Sequence, residues 1–137
     1  MMSNNTIGKT GRLFVQGELI RRGYVVEESN ERLTDFVVNG NTKIKVHTRL
    51  NQDNFIMAPN AENGSRDLFY VFVQIQDDGK NRFFIVPSLL VAQRCRIGHR
   101  LWAEAKEGRD IDSTIRVFFM KENDGYLWED QWQLLEQ

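Results

Sequence analysis

The stretch from Thr34 to Arg49, TDFVVNGNTKIKVHTR, concentrates the side chains with the most chemistry in this chain. Asp35 offers a carboxylate that can hold a cation or accept hydrogen bonds. Lys43, Lys45 and Arg49 offer permanent positive charge for an anion, and His47 offers a group that transfers protons or ligates a metal near neutral pH. Their spacing matters as much as their types. Lys43, Lys45 and His47 alternate with Ile44 and Val46, and successive side chains on a strand leave by opposite faces. One face of such a strand is apolar, and the other carries two amines and an imidazole. Asp35, at the entrance of the preceding strand, can add its carboxylate to that polar face.

The elements that must position these groups are legible around them. Phe36-Val37-Val38, the turn dipeptide Asn39-Gly40 and the alternating Lys43–Thr48 run predict a β-hairpin. Upstream, Met1 to Lys9 is polar and reads as a frayed lead-in (1–9) to a single domain over 10–137. Thr10 can cap a helix in which Leu13, Phe14, Gly17 and Ile20 recur at helical spacing. Gly23 sits where a left-handed residue would end that helix. Downstream, 51–66 reads as a long connection with a short strand at Phe55–Met57. Leu68 to Ile75 is apolar at nearly every position, the mark of a strand covered on both faces and therefore central. Phe83–Val86 predicts a further strand, and Pro87-Ser88 opens a helix through Val91 and Cys95 that Gly98 is expected to end. Thr114–Met120 predicts a last strand, and Tyr126–Leu135 an amphipathic helix.

Composition narrows the function classes. With 137 residues, 41% hydrophobic, the chain is long enough for one core and short for two. Its 18 basic and 19 acidic residues give a net charge of −1, so attraction to nucleic acid has to come from a local patch. The single cysteine, Cys95, has no internal partner for a disulfide. No apolar run is long enough for a transmembrane span or signal core. A reducing, cytoplasmic setting and no membrane partner are the corresponding expectations.

Gly17-Glu18, Arg22-Gly23-Tyr24-Val25-Val26, Asp35, Asn39-Gly40, Ile44-x-Val46-x-Thr48 and the Phe72-Val73 to Ile85-Val86-Pro87-Ser88 run resemble the PD-(D/E)XK nuclease superfamily. They are similar in particular to its small stand-alone bacterial proteins. His99-x-x-Trp102 and Trp128-x-x-x-Trp132-x-Leu134-Leu135 fit the same group. The resemblance implies an α/β fold with a restriction-endonuclease-like core, a central mixed β-sheet flanked by helices. It also implies Mg²⁺ held by a helical Glu, an Asp at a strand start and an oxygen ligand two residues before a Lys. Hard oxygen ligands suit Mg²⁺, which polarises a phosphodiester and activates water.

Carried over residue by residue, Glu18 matches the helical acid and Asp35 the strand acid, the two metal ligands. Lys45 falls at the third ligand and His47 at the catalytic lysine. Lys45 supplies a cation where an oxygen is needed, and an imidazole is mostly neutral at pH 7. The implied reading is a degenerate metal site that binds DNA, RNA or a partner through Lys43, Lys45 and Arg49 without efficient cleavage. Two alternatives stay open. One is an active endonuclease with a variant Mg²⁺ site built from Glu18, Asp35 and His47. The other is a structural or interaction domain, for instance a homodimer, whose polar face is merely solvated. The arrangement expected for the site brings Glu18, Asp35, Lys45 and His47 together, with Leu13, Gly17 and Ile20 packing the helix on the sheet.

Overall fold

The computed structural model describes residues 2–121 and 124–136; Met1, the first residue of the expected lead-in, and Gln137 lie outside them. Helix α1 (Asn4–Arg21) is followed by strands β1 (Val26–Glu28), β2 (Phe36–Val38), β3 (Thr42–Leu50) and β4 (Asn54–Met57). Then come β5 (Leu68–Ile75), β6 (Arg82–Pro87), helix α2 (Ser88–Ala105), strand β7 (Arg116–Phe119) and the short helix α3 (Asp124–Trp128). Five strands form one sheet in the order β1-β2-β3-β5-β6. β3 and β5 run parallel and the other neighbours antiparallel, which makes the sheet mixed. β4 and β7 pair separately in an antiparallel two-stranded sheet.

β5 is central because it can be: it is apolar on both faces and nearly every residue is buried. Its even-numbered residues share a face with the polar residues of β3, since Lys45 lies opposite Tyr70 and His47 opposite Phe72. That face is covered by β4, β7 and the first half of α2, through Phe55, Phe118, Val91 and Cys95. The opposite face presents Ile44, Val46, Val71 and Ile85 to α1 and to the C-terminal 3₁₀ turn, which supply Val15, Leu19, Trp132 and Leu135. The result is three layers with the sheet in the middle.

Asn39 and Gly40 both take positive φ, 51° and 79°, and the Asn41 amide donates to the Val38 carbonyl at 3.2 Å. This is type I′ geometry at Asn39-Gly40 with one extra residue, Asn41, before the strand resumes, and the three-residue connection sets the register in which Val38 faces Thr42 and Phe36 faces Ile44. No helix among the described residues is long and apolar enough to cross a membrane.

Three elements differ from expectation. α1 begins at Asn4, where the Ser3 hydroxyl accepts from the Thr6 amide, so Thr10 lies inside the helix. Its buried stripe is Gly11, Val15 and Leu19, while Leu13 and Ile20 are 58% and 57% exposed and Gly17 meets nothing. α2 continues through Gly98 to Ala105, because glycine weakens a helix without ending it. The C-terminal tail is broken into α3 and a 3₁₀ turn by a bridge between Glu129 and Phe84 and by Asp130 at φ 55°.

Candidate nucleic-acid interface

β2 is short, and that shortness creates the site. Its pairing with β3 stops at Phe36 opposite Ile44, whereas β3 and β5 stay paired to Leu50 and Ile75. Asp35 extends the hairpin by one step. Its amide donates to the Ile44 carbonyl at 2.7 Å, and its Oδ2 accepts from the Val46 amide at 2.7 Å, where a further strand residue would have stood. Beyond Val46, the β3 edge away from β5 pairs with no strand among the described residues. A groove of about 560 Å³ runs along it. Asn4, Ile7 and Gly8 of α1 form one wall, and Phe55 and Ile56 of β4 belong to the other. The polar side chains lining it include Lys45, His47, Arg49 and Gln52.

The helix wall comes close because Gly11 lets it. A Cβ on Gly11 would lie 1.8 Å from Thr48 Oγ1 and 2.8 Å from Thr48 Cβ, so only a residue without a side chain allows α1 to cross β3 there.

Within the groove, charge is arranged unequally. Lys45 Nζ stands 3.6 Å from Asp35 Oδ1, a half-buried pair. Arg49 donates from Nη2 to Gln52 Oε1 at 2.5 Å and has no carboxylate partner among the described residues; its Nη1 is buried without any hydrogen-bond partner. His47 packs beside Tyr70 and Phe72, ring centroids 5.5 and 6.0 Å away. Burial, reinforced by the Lys45 charge and only partly offset by Asp35, pushes its pKa from 6.5 down to about 4. The imidazole is therefore neutral at pH 7 and does not replace the permanent charge of a lysine.

This shift has a sign that can be measured. A histidine whose folded pKa is depressed binds protons in the unfolded state first, so its contribution is complete above pH 6.5 and is lost as pH falls toward about 4. His47→Phe is expected to flatten the stability profile across that window, as read by urea denaturation at a series of pH values. An unchanged slope would mean that another group governs the acid limb.

The structure thus places Lys45, His47 and Arg49 along one groove, with Asp35 beside Lys45. It does not place Glu18 there. That carboxylate accepts from Arg21 Nη2 at 2.8 Å and Arg22 Nε at 3.3 Å, and the Arg21 hydrogen bond holds its pKa below the usual carboxylate range. Glu18 lies two turns beyond Gly11, about 10 Å along the helix axis. α1 itself packs on the Ile44 and Val46 face, whereas Lys45 and His47 leave by the other. The convergence expected for Glu18 rested on Leu13, Gly17 and Ile20 facing the sheet. With Gly11, Val15 and Leu19 inward instead, Glu18 turns to its own helix neighbours. Lys43 also stands apart, with Nζ 3.2 Å from Glu31 and 3.9 Å from Asp67.

These positions do not fit Mg²⁺. Both Asp35 oxygens are engaged, one by a backbone amide and one by an ammonium. The residues α1 contributes to the groove are Asn4, Ile7 and Gly8, none of them acidic. No group of three or more His, Cys, Asp or Glu among the described residues could hold a metal ion. Asn4, Gly8 and Gln52 were missed in the sequence. Gly8 and Gly11, three apart, were the available signal for a close-packed helix face.

No protein-family model matches the chain, and no curated protein matches it in sequence. Among solved structures, it is similar to a bacterial homing endonuclease, I-Ssp6803I, at a TM-score of 0.57 and 12% identity. The match covers 99% of this chain and 94% of that one. The shared feature is the fold, a restriction-endonuclease-like mixed sheet between helices.

Proposed function

We propose that this restriction-endonuclease-like domain binds nucleic acid through the groove along β3, by contacts to phosphate, and does so without a divalent metal. The observation that carries the proposal is Arg49: a guanidinium lining the groove, paired only with a neutral amide, with one buried nitrogen unpartnered. A buried donor without an acceptor is costly, and a planar guanidinium matches a phosphate in geometry and charge. Lys45 supplies a second cation on the same strand face, four residues away and about 13 Å along β3. Asp35 pairs with that ammonium and offsets part of its charge, and neutral His47 contributes a hydrogen-bonding edge. The likeness to an endonuclease fold supports nucleic acid over other phosphate-bearing ligands.

Lys45 takes the place where the resemblance puts an oxygen ligand, so efficient Mg²⁺-dependent cleavage is not part of this reading. Fluorescence anisotropy of labelled single-stranded and duplex oligonucleotides over a salt series tests the contacts. Arg49→Ala and Lys45→Ala should each weaken binding to all sequences alike and lower the salt slope by about 1. Lys43→Ala, whose ammonium is already held by Glu31 and Asp67, should leave both unchanged. Equal effects from all three variants, or none from any, would contradict the assignment of the groove.

A further inference from the structure

α2 is an 18-residue helix that uses only its first half to build the core. Its buried residues are Ser88, Val91, Ala92 and Cys95, and from Arg96 onward most of its residues are exposed. On the side opposite Val91 and Cys95, Leu89, Gln93, Ile97 and Leu101 recur every four residues and form one continuous ridge. That ridge faces solvent: Leu89, Ile97 and Leu101 are 52%, 52% and 63% exposed. A helix normally turns its apolar stripe inward, so an apolar ridge on the outer side, at the projecting end, calls for a partner.

The charges beside the ridge indicate which partner. Arg100 and Glu104 stand one turn apart on the same flank of Leu101, both exposed. Neither makes an ion pair within the described residues, although their spacing would allow one between them. When two identical helices pair antiparallel about a two-fold axis, like flanks meet, and each residue meets one equally far beyond the axis. An axis at Leu101 then brings Arg100 of each copy within two residues, about 3 Å along the axis, of the level of Glu104 of the other, a gap its long side chain spans. It stacks the two Leu101 side chains at the centre and lays Ile97 over the small Ala105. Gly98 has no side chain and a Cβ there would meet nothing within 4 Å, which permits close approach.

We infer that two copies of this chain associate through the projecting half of α2, antiparallel, with Leu101 at the centre and Arg100–Glu104 pairs across the interface. A surface complementary to itself is what an isologous dimer requires, and a row of bound peptide or lipid would not need this ordering of opposite charges.

Sedimentation equilibrium over a wide concentration range tests the inference, with circular dichroism and melting to check the fold of each variant. The wild-type chain should self-associate as a dimer. Leu101→Glu should weaken association roughly thirtyfold or more, as loss of a central anchor does, without altering the circular dichroism spectrum. Arg100→Glu should weaken it by placing two glutamates together, and Arg100→Glu combined with Glu104→Arg should restore it. A wild-type chain that stays monomeric throughout, or a dimer indifferent to Leu101→Glu, would overturn the inference. So would a charge-reversed double variant that fails to recover, because antiparallel pairing demands that recovery.

Discussion

Replacing Gly11 by alanine should lower the unfolding free energy by about 1–3 kcal/mol, the range for forcing volume into a packed contact. The same change at Gly17 should raise it by about 0.5–1 kcal/mol. The added Cβ at Gly11 meets not the end of a flexible chain but Thr48 at Oγ1, Cβ and Cγ2, at 1.8, 2.8 and 2.9 Å. Rotating Thr48 only exchanges its hydroxyl and its methyl and leaves its Cβ in place, so relief has to come from α1 lifting off β3. That movement widens the groove and disturbs Val15 and Leu19, which follow on the same stripe. At Gly17 a Cβ meets nothing, and alanine there only reduces the freedom of the unfolded chain. Chemical denaturation of the two variants decides between two orientations of the helix. If Gly17→Ala were the damaging change, Glu18 would turn toward the sheet and a carboxylate pair with Asp35 would become feasible.

The second large effect is expected at Asp35, where asparagine and alanine should behave differently. Asparagine keeps an oxygen for the Val46 amide and removes the charge that holds Lys45. Asp35→Asn should therefore fold normally and bind nucleic acid more tightly by roughly fivefold, about 1 kcal/mol for removing one like charge near a phosphate in a water-exposed site. Alanine leaves the Val46 amide without its acceptor, and Asp35→Ala should lose about 1–3 kcal/mol of stability. Anisotropy titration and denaturation of the same two proteins separate the roles. Loss of binding in Asp35→Asn would mean that the carboxylate holds a ligand-bound cation, which is the metal-dependent reading.

The sequence carried much of this structure in forms that local physics controls. The alternation in Lys43–Thr48 and the Asn39-Gly40 turn determine which β3 side chains share a face. The unbroken apolar run at Leu68–Ile75 has no stable place except between two strands and beneath layers on both sides, and β5 occupies it. The restriction-endonuclease-like architecture expected from the resemblance is the fold observed. Helix orientation was harder to read, because α1 carries Leu13, Phe14 and Ile20 on one side and Gly11, Val15 and Leu19 on another. Hydrophobicity favours the first set, yet the close approach permitted by Gly11 and the Ser3 cap select the second. The placement of Glu18 failed with that orientation. The groove itself depends on where β2 stops and on residues from 4 to 56 meeting across the fold, a long-range fact that no local pattern encodes. Asp35 and Lys45 were found because they lie on the two strands of one hairpin, ten positions apart in the chain and joined by a type I′ turn.

In the function proposed here, Lys45 and Arg49 of the groove do the work that a metal would otherwise do. The most direct test is one titration of a labelled oligonucleotide with the wild-type protein, run in EDTA and again in Mg²⁺ at matched ionic strength, with the oligonucleotide recovered afterwards and sized. Equal affinity in both buffers, falling with salt, and an intact oligonucleotide are the predicted result. Binding that appears only with Mg²⁺, or cleavage that Asp35→Asn abolishes, would contradict it.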